Sequence, residues 1–258
     1  MLDIEILEKE MKNAINWIKE KVENSGVKGV VVGNSGGKDS ATVLAMAVNA
    51  LGKENVVAVS MPCHSNNDDF VDAKLVADTF GVRSIKIDLT STYDEMEKEI
   101  NSRLNEIEFK ELSKESKVNI KPRLRMTTLY GIAQALGYLV IGTSNICEIM
   151  VGYTTKWGDS ASDFNPIGNF TVQEILEIGR LLGVPEKILK KAPSDGLGNL
   201  TDEQKMGITY KQIAEMIETG KTDENAKKEI IKRFNNSKHK REQVSIYKFD
   251  RKNFLNNV

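Results

Sequence analysis

The feature that most constrains the fold is the segment from Val30 to Ser40, which reads VVVGNSGGKDS. A β-branched apolar run stops at a short loop of glycines and serines, and a helical pattern follows at once. Glycine lets a backbone approach a ligand closely, and the free N–H groups at a helix start favour anions. The segment therefore predicts a strand–loop–helix unit that holds phosphate.

The loop is not a Walker P-loop, because Asp39 follows Gly37-Lys38 and Val32 stands where that motif has its first glycine. A carboxylate beside phosphate repels it unless a cation lies between them, so Asp39 indicates bound Mg²⁺. The Ser-Gly-Gly-Lys-Asp-Ser string resembles the pyrophosphate loop of the ATP pyrophosphatases, which split ATP between its α- and β-phosphates. An ordinary glycine-rich turn is the alternative. The resemblance implies that ATP is bound by Gly33, Asn34, Ser35, Gly36, Gly37, Lys38, Asp39 and Ser40.

The order of apolar periodicities predicts the fold class. Two β–α–β units follow one another, which favours a doubly wound parallel sheet flanked by helices, Rossmann-like or adenine nucleotide α-hydrolase-like, with a C-terminal helical extension. In such sheets ligands bind beyond the carboxyl ends of the strands, where the glycine-rich loop lies. We expect strands at 29–33, 56–61, 82–89 and 138–142, and helices at 4–22, 40–51, 68–80, 93–117, 123–136, 171–182, 210–219 and 223–234.

Length and composition bound the class of protein. The chain has 258 residues, a formal net charge of −1 and two cysteines. We expect a single domain over 1–258, with an N-terminal helix within 1–26, a mobile flap at 194–206 and a C-terminal tail at 235–258. Neither an apolar run of membrane-spanning length nor a secretory signal is visible, so we expect a cytoplasmic protein that does not bind membranes. The balanced charge gives no argument for a nucleic-acid partner.

Three further strings narrow the family: NIKPRLRMT at 119–127, LVIGTSNICE at 139–148 and GYTTKWGDSASDFNPI at 152–167. Together with the loop they resemble the ammonia-dependent NAD⁺ synthetases. The resemblance implies an ATP-dependent, Mg²⁺-requiring amidation of deamido-NAD⁺ by ammonia through an acyl-adenylate, giving NAD⁺, AMP and pyrophosphate. It also implies a homodimer. We expect free ammonia as the nitrogen donor, because 258 residues leave no room for a nitrilase-like amidotransferase domain.

The resemblance also implies roles for single residues. The implied Mg²⁺ ligands are Asp39 and Glu148, and the further ATP contacts are Thr143 and Ser194. The implied catalytic residues are Ser35, Lys38, Asp39 and Asp159. Asp159 would orient or deprotonate ammonia. The implied deamido-NAD⁺ contacts are Arg123, Lys156, Asp163, His239 and Lys240. Without the family, Glu148 would be an ordinary charge at a helix start, Thr143 or Ser194 a helix N-cap, and His239 and Lys240 part of a solvated terminus.

The chain departs from the family pattern at two places. Val172 stands where the family commonly has a lysine that reaches ATP, and Lys38 is a candidate to replace that cation. Strand two ends in Met61-Pro62-Cys63-His64-Ser65 instead of the usual Pro-Tyr-Gly. Adenine contacts near Cys63 therefore stay open.

Two other functions compete with this interpretation. Lys38 is also typical of sulfur-transferring and tRNA-modifying ATP pyrophosphatases, but these need a basic surface, and the thiolases usually add cysteines. A non-catalytic adenine-nucleotide-binding module could share the fold. Such a module would have no need of Asp39 and Glu148 together with a dinucleotide-shaped set of basic residues.

Overall fold

A parallel four-stranded sheet organises the structure, a computed structural model that describes residues 2–65, 67–191 and 201–247. The strands are β1 (Val30–Gly33), β2 (Val56–Ser60), β3 (Arg83–Lys86) and β4 (Leu139–Ile141). Their order across the sheet is β3-β2-β1-β4, and Val30 lies opposite Val56 on one side and Leu139 on the other. The expected doubly wound fold is therefore confirmed.

Twelve helices surround this sheet in the described part of the chain. The long helices carry apolar residues at helical spacing, and capping residues define most of their ends. At the start of the first helix, for example, the Asp3 side chain accepts a hydrogen bond from the Glu5 N–H. They are α1 (Ile4–Asn24), α2 (Lys38–Leu51), α3 (Asn67–Phe80), α4 (Thr90–Glu106), α5 (Lys114–Leu136), α6 (Ile146–Val151), α7 (Val172–Leu181), α8 (Glu186–Leu189), α9 (Asp202–Met206), α10 (Tyr210–Thr219), α11 (Glu224–Asn236) and α12 (Lys238–Arg241).

The valines of β1 point to opposite faces and join two different cores. Val30 and Val32 belong to the larger core, together with buried side chains of α1, α2 and α7, whereas Val31 belongs to the core on the α5 face. A third core joins α6, α10 and α11. Because β1 is covered on both faces, its sequence is a continuous apolar run, as parallel central strands are.

The point where the chain changes direction across the sheet positions the functional site. The chain runs outward from β1 through β2 to β3 and then returns to place β4 on the other side of β1. A crevice opens at such a switch point, beyond the carboxyl ends of the two central strands. The loop after β1 therefore faces the segment after β4, although Asp39 and Asn145 are 106 positions apart in the sequence.

Several sequence expectations differ from the structure in their boundaries. The expected break between helices 93–117 and 123–136 is wrong: α4 ends at Glu106, and α5 runs from Lys114 to Leu136 with Pro122 inside it. No helix was expected between the strand at 138–142 and the helix at 171–182, but the short helix α6 lies there, and β3 is a short edge strand with four exposed residues. Of the expected flap, 194–200 lie outside the described residues and 202–206 form α9. Residues 248–258 of the tail also lie outside them.

None of the helices in the described ranges has the length and hydropathy needed to cross a bilayer.

Candidate active site

The loop between β1 and α2 has the geometry of an anion cradle. Gly36 has a φ of +73°, and a Cβ there would stand 2.7 Å from the backbone N of Ala73 and the backbone O of Asp69. Only glycine therefore lets the loop rest directly on α3. Gly37 is the N-cap of α2 and offers no side-chain cap, so the first amides of that helix stay available for an anion.

The two predicted serines hold the loop in shape. The Ser35 and Ser40 hydroxyl groups are 3.1 Å apart, and the Gly37 N–H donates to the Ser35 Oγ over 3.2 Å. Asn34 is buried, and its side-chain amide donates to the Ala73 carbonyl over 2.8 Å. These bonds fix the backbone before any ligand arrives, which is how a preorganised phosphate site works.

Lys38 lies inside the protein rather than on its surface. It is 7% exposed, and its Nζ donates to the Asp39 Oδ2 over 2.9 Å. Burial disfavours the ammonium charge, but Asp39 and two further carboxylates, Glu148 and Asp202, outweigh burial and raise the pKa of Lys38. Lys38 is therefore a buried, charged lysine, and its Nζ also lies 5.6 Å from the centre of the Tyr210 ring.

Asn145 connects the two predicted metal ligands. It is fully buried, its Nδ2 donates to the Asp39 Oδ1 over 3.2 Å, and its Oδ1 accepts from the Glu148 N–H over 3.0 Å. The Glu148 Oε2 accepts in turn from the Asn145 N–H over 3.0 Å. Asn145 was not among the predicted site residues, although Asn-x-x-Glu before an apolar run is a capping-box pattern that indicates an N-cap role for it.

Asp39 and Glu148 form a pair that suits a hard divalent cation. Burial first, and then the charge of Asp39, raise the pKa of Glu148 well above its ordinary value. Two carboxylates that share one site repel each other, and a cation between them removes the repulsion. Their oxygen atoms are the donors that Mg²⁺ prefers. In the described part of the chain, no group of three or more His, Cys, Asp or Glu side chains that could hold a metal ion occurs.

A second, basic patch lies where the tail meets the segment after α6. The Lys156 Nζ donates to the His239 carbonyl over 2.6 Å, and the Lys240 Nζ donates to the carbonyls of Gly152 and Thr154 over 2.8 and 2.6 Å. Arg123, from α5, donates to the Lys156 carbonyl over 3.3 Å. The structure therefore brings together four of the five residues predicted for the dinucleotide.

A cavity of about 230 Å³ opens beside this patch. It is lined by Lys156, Trp157, His239, Glu242, Gln243, Val244 and Ser245. Trp157 is half exposed and has a φ of +61°, and the Lys156 Nζ lies 5.3 Å from the centre of its ring. An aromatic face and a cation at one opening suit a ligand with a flat ring and an anionic group.

Asp159 contributes to the electrostatics of both patches. Its Oδ1 accepts from the Thr155 N–H over 2.7 Å, and burial raises its pKa. Its charge acts both on Glu148 and on Lys240. Burial lowers the pKa of Lys240, and Asp159 opposes that effect. Helix α6 carries Glu148, and the carbonyl of its C-cap residue Gly152 accepts from Lys240, so this short helix joins the Asp39–Glu148 pair to the basic patch.

The remaining predicted residues lie in different surroundings. Thr143 is half buried in the segment between β4 and α6, and Ser194 lies outside the described residues. Asp163 is exposed, and its carboxylate accepts from the Val140 N–H over 2.7 Å and from the Tyr130 hydroxyl. Burial and the Asp163 charge raise the pKa of Tyr130 to about 12. Asp163 thus fastens the segment after α6 to the edge of the sheet.

Two changes from the family pattern have a structural outcome. Val172 is buried in the core around α6 and α10. Its apolar side chain packs there and cannot take the place of the family's lysine. At the end of β2, Cys63 is buried, while His64 has a φ of +53° and its Nε2 lies 2.6 Å from the Asp94 carboxylate. The two neighbouring side chains point into different surroundings and do not form a nucleophile–base pair.

The fold and the loop define an α/β protein of the nucleotide-binding class. The sequence pattern of the NAD synthase family matches residues 10–251, and the chain belongs to that family.

Individual relatives agree with this assignment. The chain is 46% identical to an NH(3)-dependent NAD(+) synthetase of Thermococcus sibiricus over 204 residues, 79% of this chain and 77% of that protein. Among solved structures, it is similar to an NMN synthetase from Francisella tularensis, with a TM-score of 0.86, 32% identity and coverage of 94% and 99%. It is also similar to an NH3-dependent NAD synthetase from Campylobacter jejuni, with a TM-score of 0.76, 30% identity and coverage of 96% and 100%.

Proposed function

We propose that this protein amidates deamido-NAD⁺ with ammonia in an ATP-dependent reaction that gives NAD⁺, AMP and pyrophosphate. The observation that carries the proposal is the continuity of two sites. A phosphate loop with a pair of carboxylates adjoins a patch of three cations, because α6 carries Glu148 and its C-cap residue Gly152 accepts a hydrogen bond from Lys240. One site suits the triphosphate of ATP, and the other suits the pyrophosphate and carboxylate of a dinucleotide.

The reaction has two displacements. An oxygen of the nicotinate carboxylate attacks the α-phosphorus of ATP, and the bond from that phosphorus to the bridging oxygen breaks and releases pyrophosphate. The lone pair of ammonia then attacks the acyl carbon, the acyl–oxygen bond breaks, AMP leaves and the nitrogen loses a proton. Both steps develop charge at phosphate oxygens, so fixed donors and accurate positioning are the main contributions of the protein.

The loop residues would hold the phosphates. The amides that begin α2 and the hydroxyl groups of Ser35 and Ser40 would donate to phosphate oxygens, and Thr143, which follows β4, would add a further ATP contact. Lys38 supplies the cation that Val172 does not provide, because it is charged and adjoins the loop. Asp39 and Glu148 would hold Mg²⁺, which neutralises phosphate charge when bound.

The basic patch would hold the dinucleotide. Arg123, Lys156 and Lys240 now donate to backbone carbonyls of their own chain. Anionic oxygens are stronger acceptors than carbonyls, so a substrate phosphate can replace those contacts. His239 borders the cavity, and we propose that Asp163 accepts hydrogen bonds from ribose hydroxyl groups.

Asp159 is our candidate for orienting ammonia. Its raised pKa brings a carboxylate closer to neutrality and makes it a better proton acceptor than an exposed aspartate. Its Oδ1 also accepts from the Thr155 N–H, next to Lys156 of the basic patch. Replacement of Asp159 by asparagine should lower kcat more than it raises KM for either nucleotide.

A second candidate function is amidation of the mononucleotide instead of the dinucleotide. It is favoured by the TM-score of 0.86 to an NMN synthetase, against 0.76 to an NAD synthetase. The same chemistry would act on nicotinate mononucleotide, which carries one phosphate. Comparison of kcat/KM for deamido-NAD⁺ and nicotinate mononucleotide distinguishes the two.

We further propose that the protein is a cytoplasmic homodimer. Large apolar side chains stand exposed after α4, where Ile107 is 72% and Phe109 is 60% exposed. Exposed apolar groups of this size often mark contact surfaces. A single species with the mass of one chain in light scattering, at micromolar concentration, would contradict the dimer.

The function is tested by incubating the protein with ATP, Mg²⁺, ammonium and deamido-NAD⁺ and measuring NAD⁺, AMP and pyrophosphate. All three should form in equal amounts, and pyrophosphate release should require deamido-NAD⁺. The absence of NAD⁺ at both moderate and elevated temperature would refute the proposal. Pyrophosphate release that depends on tRNA instead would favour the competing class.

A further inference from the structure

The helix that carries Glu148 is too short to hold itself in place. Helix α6 has six residues, fewer than two turns, and isolated helices of this length are unstable in water. Its position is therefore fixed by its neighbours: Cys147 and Val151 pack against α10 and α11, and further contacts hold its two ends. Asn145 fixes the first end, and the second end closes at Gly152, which has a φ of +64°.

Arg241 occupies the second end. Its Nη1 donates to the carbonyls of Ile149 and Met150 over 3.4 and 3.3 Å. The last carbonyls of a helix have no partner within the helix, and a cation there also interacts favourably with the helix dipole. Met150 is two residues beyond Glu148, a distance of about 3 Å along a helix axis.

The guanidinium group of Arg241 is itself fixed from the other side. Nη1 also donates to the Ser237 Oγ over 2.7 Å, Nη2 donates to the Phe234 carbonyl, and the group lies 3.9 Å from the centre of the Phe234 ring. A Cβ on Gly152 would stand 2.0 Å from the Cβ of Ser237, so the two backbones touch here. Arg241 thus connects the carboxyl end of α6 to the end of α11.

We propose that Arg241 is a positioning residue for the reaction: it anchors the carboxyl end of α6 and thereby sets where Glu148 presents its carboxylate. The inference rests on the proposed function, because it treats Glu148 as a Mg²⁺ ligand. Groups that orient metal ligands typically affect metal affinity by about 10- to 100-fold. Loss of the guanidinium should therefore weaken metal binding, and not only lower stability.

The test compares Arg241→Gln and Arg241→Lys with Lys238→Ala. Lys238 lies on the same short helix, is exposed and forms an ion pair with Glu242, so it is a matched control. Mn²⁺ binding is measured by electron paramagnetic resonance with a non-cleavable α,β-methylene ATP analogue present. We expect about 10-fold weaker Mn²⁺ binding in Arg241→Gln, a smaller loss in Arg241→Lys and no change in Lys238→Ala.

Hydrogen exchange of the metal-free protein gives a second readout. The amides of Ile149 and Gly152 should lose protection in Arg241→Gln, whereas the amides of β1 should keep it. Mn²⁺ affinity equal to wild type, accompanied only by a lower melting temperature, would overturn the proposal and leave Arg241 a purely structural residue.

Two further outcomes are also decisive. If Arg241→Gln does not fold, Arg241→Lys takes its place, and wild-type Mn²⁺ affinity in that variant overturns the proposal. If wild type forms no NAD⁺, the proposed function fails, and the exchange of α6 amides in the metal-free variants still decides whether Arg241 anchors the helix.

Discussion

Replacement of Asn145 by alanine is the sharpest single test of how the site is assembled. The side chain is fully buried and makes two kinds of contact, the N-cap bond to the Glu148 N–H and the bond from its amide to the Asp39 side chain. Loss of an N-cap costs about 1 kcal/mol. Loss of a hydrogen bond to a charged group costs about 1.5–3 kcal/mol. The free energy of unfolding should therefore fall by about 2.5–4 kcal/mol.

For a chain of this size, that loss corresponds to a decrease in melting temperature of about 5–15 °C. Urea unfolding followed by circular dichroism measures the free energy, and calorimetry measures the temperature. Thr209→Ala is the matched control, because Thr209 forms a capping box with Gln212 at an exposed position. This control should lose about 1 kcal/mol.

A third variant, Asn145→Ser, separates the two contacts. Serine keeps an acceptor for the cap but is too short to reach Asp39, so it should restore only the cap contribution. If Asn145→Ala is no less stable than Thr209→Ala, the bond to Asp39 contributes nothing, and the idea that Asn145 joins the two carboxylates is refuted.

Three further outcomes follow from the structure. Gly36→Ala should lower the free energy of unfolding by more than the ~1–2 kcal/mol of a left-handed alanine, because its Cβ would meet the Ala73 backbone at 2.7 Å. The same clash displaces the loop, so wild-type ATP affinity by calorimetry in a stable variant would contradict this reasoning. Asp39→Asn should abolish NAD⁺ formation and keep the circular dichroism spectrum, and full activity would remove the metal assignment. Burial tends to raise the pKa of Asp72, but two lysine ammonium groups outweigh it and lower that pKa. Asp72 therefore stabilises the fold above the unfolded-state pKa of about 4, and the contribution is lost as pH falls through the lower folded value. Asp72→Asn should have a free energy of unfolding about 1 kcal/mol below wild type at pH 7, and the difference should vanish in strong acid. Urea titrations at both pH values measure it. A difference that does not change with pH would refute the ion-pair origin.

The sequence predicted the elements that follow from local patterns. The run Val30–Val32 and the glycines after it specify a buried strand and a phosphate loop without any tertiary information. The predicted break between helices 93–117 and 123–136 is misplaced, because the chain leaves the helix after Glu106 and α5 begins at Lys114. In the structure, Pro122 is buried within α5, where tertiary packing outweighs the cost of proline inside a helix.

The contacts that assemble the site could not be predicted in the same way. Asn145 contacts Asp39 only because β4 lies beside β1. Local sequence patterns do not predict the order of strands in a sheet. Arg241 contacts Met150 of α6 across 91 positions of the chain. It belongs to a C-terminal segment whose sequence predicts only a solvated tail. Long-range contacts of this kind come from topology, which local spacing does not encode.

The order β3-β2-β1-β4 also has a consequence for synthesis on the ribosome. One edge of β1 stays without its hydrogen-bonding partner until β4 has been synthesised, and more than a hundred residues separate the two strands. At about 5–20 residues per second, the nascent chain would carry an uncovered row of valine backbone for roughly 5–20 seconds. An open, apolar strand edge is a template for pairing with other chains. The nascent protein is therefore most vulnerable to aggregation before Leu139 emerges, and substitutions that delay the pairing of β4 should lower the yield of folded protein even where they leave its final stability unchanged.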